Sequence, residues 1–148
     1  MKILLAGDST VAHYTPEQRP MAGWGEGLEK QINEHHPNVS IKNYAKGGAT
    51  TQSFIEEGIW DELLKEVQQD DLVIIQFGHN DQNIGGGVSP NDYYRNLKQM
   101  VADIRERNGE AILCTPVERR HIVDGIFKKT LAKEQSAMKR LAREEKVY

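Results

Sequence analysis

The stretch Leu4-Leu5-Ala6-Gly7-Asp8-Ser9-Thr10 opens the chain with an apolar run of strand type that stops at a glycine, and a potential nucleophile follows at once. A serine at the carboxyl end of a strand lies where open α/β sheets bind their ligands. Gly-Asp-Ser is also a common turn sequence in which the serine caps a helix. The tripeptide alone leaves both interpretations open.

Two later segments repeat this pattern of an apolar run that ends in small or polar residues. Residues 43–51 read Asn-Tyr-Ala-Lys-Gly-Gly-Ala-Thr-Thr, and residues 72–81 read Leu-Val-Ile-Ile-Gln-Phe-Gly-His-Asn-Asp. The carboxyl ends of parallel strands meet at one edge of a sheet. We therefore expect Ser9, Gly48 and Asn80 to share one pocket at that edge.

Apolar runs alternate with helical segments along the whole chain. We predict strands at Ile3–Ala6, Val39–Tyr44, Leu72–Phe77 and Ala111–Thr115, and helices near Gly25–His35, Gln52–Val67, Asn91–Arg107 and Thr130–Glu145. This alternation predicts an α/β protein in which helices cover both faces of a parallel sheet. The right-handed crossover rule and a switch point between the first and third strands give the strand order 2-1-3-4.

Helical periodicity is clearest in the third predicted helix. Tyr94, Leu97, Val101 and Ile104 recur at three to four residues and form its predicted buried stripe. Ser89 followed by Pro90 is typical of a helix start.

Length, charge and composition restrict the function classes. The 148 residues are enough for one domain with one core. The net charge of −3 comes from stretches of mixed sign, so neither nucleic acid nor an anionic membrane is the expected partner. The N-terminal apolar stretch is too short for a signal peptide, and no segment approaches the roughly 20 apolar residues of a membrane span. We expect a cytoplasmic protein.

The single cysteine, Cys114, lies in an apolar run and is predicted to be a buried strand residue. It has no partner for an internal disulfide, and one thiol does not make a metal site. We expect no metal and no cofactor.

Taken together, these motifs resemble those of the GDSL/SGNH hydrolases. Ser9, Gly48 and Asn80 match the Ser, Gly and Asn of that family in order. Gly7-Asp8-Ser9-Thr10, Gly78-His79-Asn80-Asp81, and Thr115-Pro116-Val117 followed by Arg119-Arg120 look most like the rhamnogalacturonan acetylesterase branch. The resemblance extends from Met1 to Tyr148. It implies one flavodoxin-like, three-layer α/β/α domain that hydrolyses acyl esters, with an acetylated sugar as substrate.

The chain departs from the family at its final motif. The family's Asp-x-x-His, which supplies the base and its carboxylate, does not occur here, and the strand before it would begin at residues 145–148. We therefore expect a C-terminally incomplete domain with a truncated fifth strand. The exposed edge of the fourth strand could then pair with another copy of the chain. Of the five histidines, His121 could approach the site from the loop after the fourth strand.

Ester hydrolysis needs a nucleophile, a base and donors for the oxyanion. We predict Ser9 as the nucleophile. The backbone N–H of Gly48, the Asn80 amide and the N–H of Ser9 at a helix start are the predicted donors.

Asp8 and Asp81 flank these residues and could form a carboxylate pair for acid–base work. A carboxylate beside a tight turn more often accepts backbone N–H bonds, so we predict that both hold their loops in place. Thr10 and His79 complete the predicted set as substrate-binding or supporting residues.

Other interpretations remain open. The chain could be an inactive SGNH-type fragment, or a flavodoxin-like module in which Ser9, Thr10 and Gly48 bind a small anion or phosphate. Asn80 favours the esterase, because a phosphate cradle does not need a side-chain amide there. Gly85-Gly86-Gly87 could be a flexible connection or a mobile lip of the site. Trp24 and Trp60 could form a wall for a sugar ring, although core packing is the commoner role.

Overall fold

Four short segments pair side by side in one parallel sheet. They are β1 (Lys2–Gly7), β2 (Ser40–Asn43), β3 (Leu72–Gln76) and β4 (Glu110–Leu113) in a computed structural model that describes residues 1–148. The order is β2-β1-β3-β4, and the register pairs Leu5 with Asn43 and Gly7 with Gln76. The predicted strand order and α/β class are confirmed. Because all the pairs are parallel, the four strands end at the same edge of the sheet.

Five helices connect and flank these strands. They are α1 (Trp24–His35), α2 (Thr51–Glu56), α3 (Ile59–Glu66), α4 (Pro90–Glu106) and α5 (Ala132–Glu145). The prediction of a single helix over residues 52–67 is wrong. The helical conformation is interrupted at Gly58, which separates α2 from α3. Gly58 has φ 77°, in the left-handed region that a glycine adopts without steric cost. None of the helices is long and apolar enough to cross a membrane.

The sheet separates two hydrophobic clusters, because alternate side chains of a strand point to opposite faces. Leu4 and Ala6 of β1 join the larger cluster, which contains buried residues of α2, α3, α4 and α5. Ile3 and Leu5 join the smaller one, against which α1 packs. This is the predicted three-layer α/β/α arrangement. The burial of each Leu or Ile side chain contributes roughly 1.5–3 kcal/mol.

The buried stripe of α4 contains Tyr93 and not the predicted Tyr94. Tyr93 is fully buried and its hydroxyl donates to the carbonyl of Phe77 at 2.9 Å. Tyr94 lies one position round the helix, where the guanidinium of Arg140 stacks 4.2 Å from its ring centre. Sequence spacing allowed either tyrosine, and the hydrogen bond to Phe77 distinguishes them.

A two-stranded hairpin that the sequence analysis did not predict follows β4. Its strands are β5 (Ile122–Val123) and β6 (Ile126–Phe127), joined through Asp124 and Gly125. These two turn residues have φ 51° and 73°, as a type I′ turn requires. Asp-Gly between apolar residues is a hairpin signal that could have found it.

The outer edge of β4 was expected to be bare. Instead, the N–H of Leu113 donates to the carbonyl of Tyr148 at 2.6 Å, so the last residue lies alongside this edge. Cys114, predicted to be buried, is half-buried just after β4. Burial raises the pKa of its thiol, which disfavours the reactive thiolate form.

Candidate active site

Ser9 lies on a single helical turn directly after β1. The N–H groups of Val11 and Ala12 both donate to the carbonyl of Asp8 at 3.1 Å, but no helix follows. The expected helix start at Ser9 is therefore wrong. Ser9 is half-buried, and neither its hydroxyl nor its N–H makes a hydrogen bond within the protein.

Asp8 braces this turn. Its Oδ1 accepts from the N–H of Thr10 at 2.9 Å and from the Thr10 hydroxyl at 2.8 Å. The Asp8 side chain is buried, and its Oδ2 has no partner. A carboxylate that accepts bonds from the next residue but one is a local turn-forming contact, the role predicted for Asp8.

Two glycines let the turn sit close to its neighbours. A Cβ on Gly7 would lie 2.7 Å from the carbonyl oxygen of Gln76, and a Cβ on Gly23 would lie 2.2 Å from that of Ala12. Both distances are far inside contact range, and the obstacles are backbone atoms. Any larger residue at either position must displace the turn that carries Ser9.

Gln76 is a buried amide that joins three parts of the site, and the sequence analysis missed it. Its Oε1 accepts from the indole N–H of Trp24 at 2.6 Å. The same oxygen lies 3.0 Å from the Thr10 hydroxyl oxygen, whose single proton it shares with Asp8 Oδ1. Its Nε2 donates to the carbonyl of Thr115 at 2.8 Å. A glutamine inside an otherwise apolar strand was the signal available in the sequence.

Gly48 lies on the continuation of β2. The N–H of Tyr44 donates to Leu5 and that of Lys46 to Gly7, so this segment runs beside β1 as far as the Ser9 turn. Gly48 itself is exposed, has φ 80°, and its N–H donates to no group of the protein. A free backbone N–H in a glycine conformation is available to an external acceptor.

Asn80 joins the β3 loop to the Gly48 loop. Its Nδ2 donates to the carbonyl of Ala49, the neighbour of Gly48, at 2.9 Å. An amide NH₂ has two donors, and this bond uses one of them. The other makes no bond within the protein, and the first fixes where it points.

Asp81 fastens the same two loops more deeply. Its buried Oδ1 accepts from the N–H of Thr51 at 2.8 Å and from the Thr51 hydroxyl at 2.6 Å. Its Oδ2 is buried without a partner. Burial raises the pKa of Asp81 from 3.8 to about 6, and the charge of nearby Asp8 adds to this. Asp81 thus anchors the start of α2, a contact that the prediction of a local loop support did not foresee.

The five histidines make their hydrogen bonds and ion pairs with groups other than Ser9. His79 Nε2 is 2.5 Å from the carbonyl of Val117, so this nitrogen carries the proton. His13 faces Glu29 at 2.7 Å. The remaining three, His35, His36 and His121, are exposed. None of the five, His121 included, forms a hydrogen bond with Ser9.

The tryptophans hold structural hydrogen bonds. Trp60 is buried and its indole N–H donates to Asp103 at 2.8 Å, so core packing, the commoner role, is confirmed for it. Trp24 is half-buried and binds Gln76.

The Gly85-Gly86-Gly87 run lines a cavity of about 660 Å³, together with Asp81 and the start of α5. Ser9, Gly48 and Asn80 do not line it.

This arrangement of strands and loops has known relatives. A family model described as the GDSL-like Lipase/Acylhydrolase family matches residues 5–148. The chain belongs to this family. The resemblance drawn from the sequence motifs is confirmed.

Within this GDSL-like family, the chain is 39% identical over 146 residues to rhamnogalacturonan acetylesterase RhgT of Bacillus subtilis (strain 168), covering 97% of the chain and 61% of RhgT. It is 36% identical over 149 residues to the probable rhamnogalacturonan acetylesterase YesY of the same organism, covering 98% of the chain and 67% of YesY. The crystal structure of Bacillus subtilis YxiM superimposes with a TM-score of 0.86 at 29% identity, covering 99% of the chain and 42% of YxiM. The chain thus spans 61% of the length of RhgT.

Proposed function

We propose that this chain carries the nucleophile and the oxyanion hole of a serine esterase that removes acetyl groups from carbohydrate. Ser9 Oγ attacks the acetyl carbonyl carbon, the sugar oxygen leaves with a proton, and water then releases acetate from the acyl-serine. The observation that carries the proposal is the bond from Asn80 to Ala49, because it fixes a side-chain amide beside the free N–H of Gly48.

Three donors are available for the oxyanion. The N–H groups of Ser9 and Gly48 and the second Nδ2–H of Asn80 have no acceptor in the protein. Donors that are already oriented need no reorganisation when charge develops on the carbonyl oxygen. Removal of one such donor costs roughly 3 kcal/mol, or about 10²- to 10³-fold in rate.

The proton of Ser9 needs an acceptor, and no histidine forms a hydrogen bond with this residue. Without a triad base, Ser9 passes its proton to solvent water, so its attack on the ester is slow. We expect the 148-residue chain to hydrolyse esters slowly, through Ser9.

The substrate class follows from the relatives. RhgT and YesY are named as a rhamnogalacturonan acetylesterase and a probable one, which supports an acetylated carbohydrate for this chain. A phosphate-binding module is less well supported. The nearest lysine of the Gly48 loop, Lys46, is paired with Glu57, and phosphate has no use for the Asn80 amide.

The test is p-nitrophenyl acetate hydrolysis by the purified chain and by single variants. Ser9→Ala should reduce hydrolysis to the buffer rate, and Asn80→Ala should lower kcat/KM by about 10²-fold. Ser40→Ala is the matched control, because Ser40 is exposed at the opposite edge of the sheet, where β2 begins. Circular dichroism establishes that each variant is folded. Hydrolysis by Ser9→Ala at the rate of the unsubstituted chain would refute the assignment and favour an inactive fragment.

A further inference from the structure

Tyr14 is the one residue of the protein that forms a hydrogen bond with Ser9. A serine has three groups that can form such bonds, which are its N–H, its carbonyl and its hydroxyl. The N–H and the hydroxyl of Ser9 have no partner, whereas its carbonyl accepts from the phenol hydroxyl of Tyr14 at 2.9 Å. The only hydrogen bond that acts on the proposed nucleophile therefore comes from the Tyr14 side chain.

The peptide group between Ser9 and Thr10 is held at both ends by side chains. Its carbonyl, that of Ser9, accepts from Tyr14, and its N–H, that of Thr10, donates to Asp8 Oδ1 at 2.9 Å. Because a peptide group is planar, two bonds at its opposite ends fix its orientation. They also restrain the Cα of Ser9 at one end of the plane, and with it the direction of the serine side chain.

Tyr14 is itself held from helix α1. Its N–H donates to Oε1 of Glu26, in the first turn of this helix, at 2.7 Å. The same helix is joined to the Ser9 turn, because the N–H of Trp24 donates to the carbonyl of Thr10 at 2.9 Å. The backbone of Tyr14 is thus fixed to an element that already bonds to the turn, and its phenol reaches from there to Ser9.

Core packing does not account for the position of the Tyr14 side chain. Residues 13–22 form a surface segment in which every residue is exposed except Tyr14, which is half-buried. Tyr14 belongs to neither of the two hydrophobic clusters, although Tyr44 and Tyr94 pack against the larger one. The hydrogen bond to Ser9 is the contact that its inward position makes.

We propose that Tyr14 is a positioning residue for the nucleophile. Its hydroxyl holds the Ser9 carbonyl, so that Ser9 Oγ is directed at the ester carbon while the Ser9 N–H stays available to the oxyanion. This inference rests on the proposed function, and Tyr14 acts through Ser9 without touching the reacting atoms. Such a contact matters for the rate, because a displacement of about 1 Å in a reacting group can cost about 10²-fold.

The experiment compares Tyr14→Phe with Tyr94→Phe in p-nitrophenyl acetate hydrolysis. Both substitutions remove one hydroxyl from a half-buried ring, but the Tyr94 hydroxyl bonds to Glu144 on α5, so Tyr94→Phe is the matched control. Tyr14→Phe should lower kcat by about three- to tenfold, which corresponds to the net strength of one hydrogen bond. KM should not change, because Tyr14 does not bind the substrate. Tyr94→Phe should change neither constant.

A second measurement does not depend on turnover. In ¹H–¹⁵N spectra, Tyr14→Phe should shift the amide signals of Ser9 and Thr10, because these two amides flank the carbonyl that loses its bond. The ring remains in place, so the shifts report the lost hydroxyl. Tyr94→Phe should leave both signals where they are in the unsubstituted chain.

Three outcomes would overturn the inference about Tyr14. Equal kcat values in the two variants would mean that the bond to Ser9 does not affect the reaction. A raised KM with an unchanged kcat would make Tyr14 a substrate-binding residue. A loss of activity that only follows the loss of folded protein in urea unfolding would give it a structural role. Failure of the proposed function is a separate result, because it appears as unchanged hydrolysis by Ser9→Ala.

Discussion

The buried carboxyl group of Asp81 should make the stability of this protein depend on pH. Asp81 is 1% exposed, and its pKa rises from 3.8 to about 6, chiefly because burial disfavours the charged form. In the unfolded chain the group ionises near pH 3.8. Between these two values the folded state binds more protons than the unfolded state, so stability falls as pH rises.

The size of the effect follows from the two pKa values. Each pH unit of difference corresponds to about 1.4 kcal/mol, so moving the pKa from 3.8 to about 6 corresponds to about 3 kcal/mol. This contribution is fully present below about pH 4 and is lost above about pH 6. It is a large share of the 5–15 kcal/mol that is typical of a folded domain.

The assay is urea unfolding followed by the fluorescence of the two tryptophans, one of which is the buried Trp60. It is run at several pH values on the unsubstituted chain and on Asp81→Asn. The asparagine can still accept from Thr51 but does not titrate. The free energy of unfolding of Asp81→Asn, relative to the unsubstituted chain, should rise by about 3 kcal/mol from pH 4 to pH 7. Subtracting the two curves removes the contributions of the carboxylates that do not interact with Asp81.

A pH-independent difference between the two proteins would refute this reasoning. It would mean that Asp81 ionises in the folded state as it does in the unfolded chain. A difference in unfolding free energy that falls with rising pH would also refute it, since it would require that folding stabilises the charged form of Asp81. The constant offset between the proteins is not part of the prediction, because it depends on how the new amide packs.

Two further substitutions test how the Ser9 turn is held. Gly23→Ala should lower both the melting temperature and esterase activity, because its Cβ would lie 2.2 Å from the carbonyl oxygen of Ala12. Gly27→Ala, within α1 and with open space around it, should instead stabilise by up to about 1 kcal/mol, and equal effects of both would contradict the close-contact argument. Gln76→Leu should cost about 1–3 kcal/mol in urea unfolding by stranding the indole N–H of Trp24, and unchanged stability would show that Gln76 does not organise the site.

The fold could be predicted because its signals are local and repeated. β1, β3 and β4 contain apolar runs, and the alternation of strands with helices leaves few topologies once crossovers are right-handed. The errors occur where one residue changes a local conformation. Gly58 divides a predicted helix into α2 and α3, and Asp124-Gly125 turns an assumed loop into a hairpin.

The supports of the candidate site could be predicted only in part. Asp8 bonds to Thr10, two residues away, and such a contact is encoded in a turn sequence. Asp81 bonds to Thr51 and Gln76 bonds to Trp24, across 30 and 52 residues. Partners so distant in sequence depend on strand order and register, which no single motif specifies.

The strongest argument for a ligand at this edge of the sheet is the pattern of hydrogen bonds that are not made. Folded chains pair the great majority of their buried polar groups. Near the site, Thr10, Thr51 and Gln76 are all bonded, whereas Oδ2 of Asp8 and Oδ2 of Asp81 are buried without a partner. Three donors have no acceptor in the protein: the N–H groups of Ser9 and Gly48 and one N–H of Asn80. They lie in the loops that follow three neighbouring strands of the sheet. Hydrogen bonds of Asp8, Asn80 and Asp81 hold the loops that carry these donors in place, while the donors themselves have no acceptor in the protein. These free donors support the proposed oxyanion hole, in which they would bind a carbonyl oxygen that gains negative charge during ester hydrolysis.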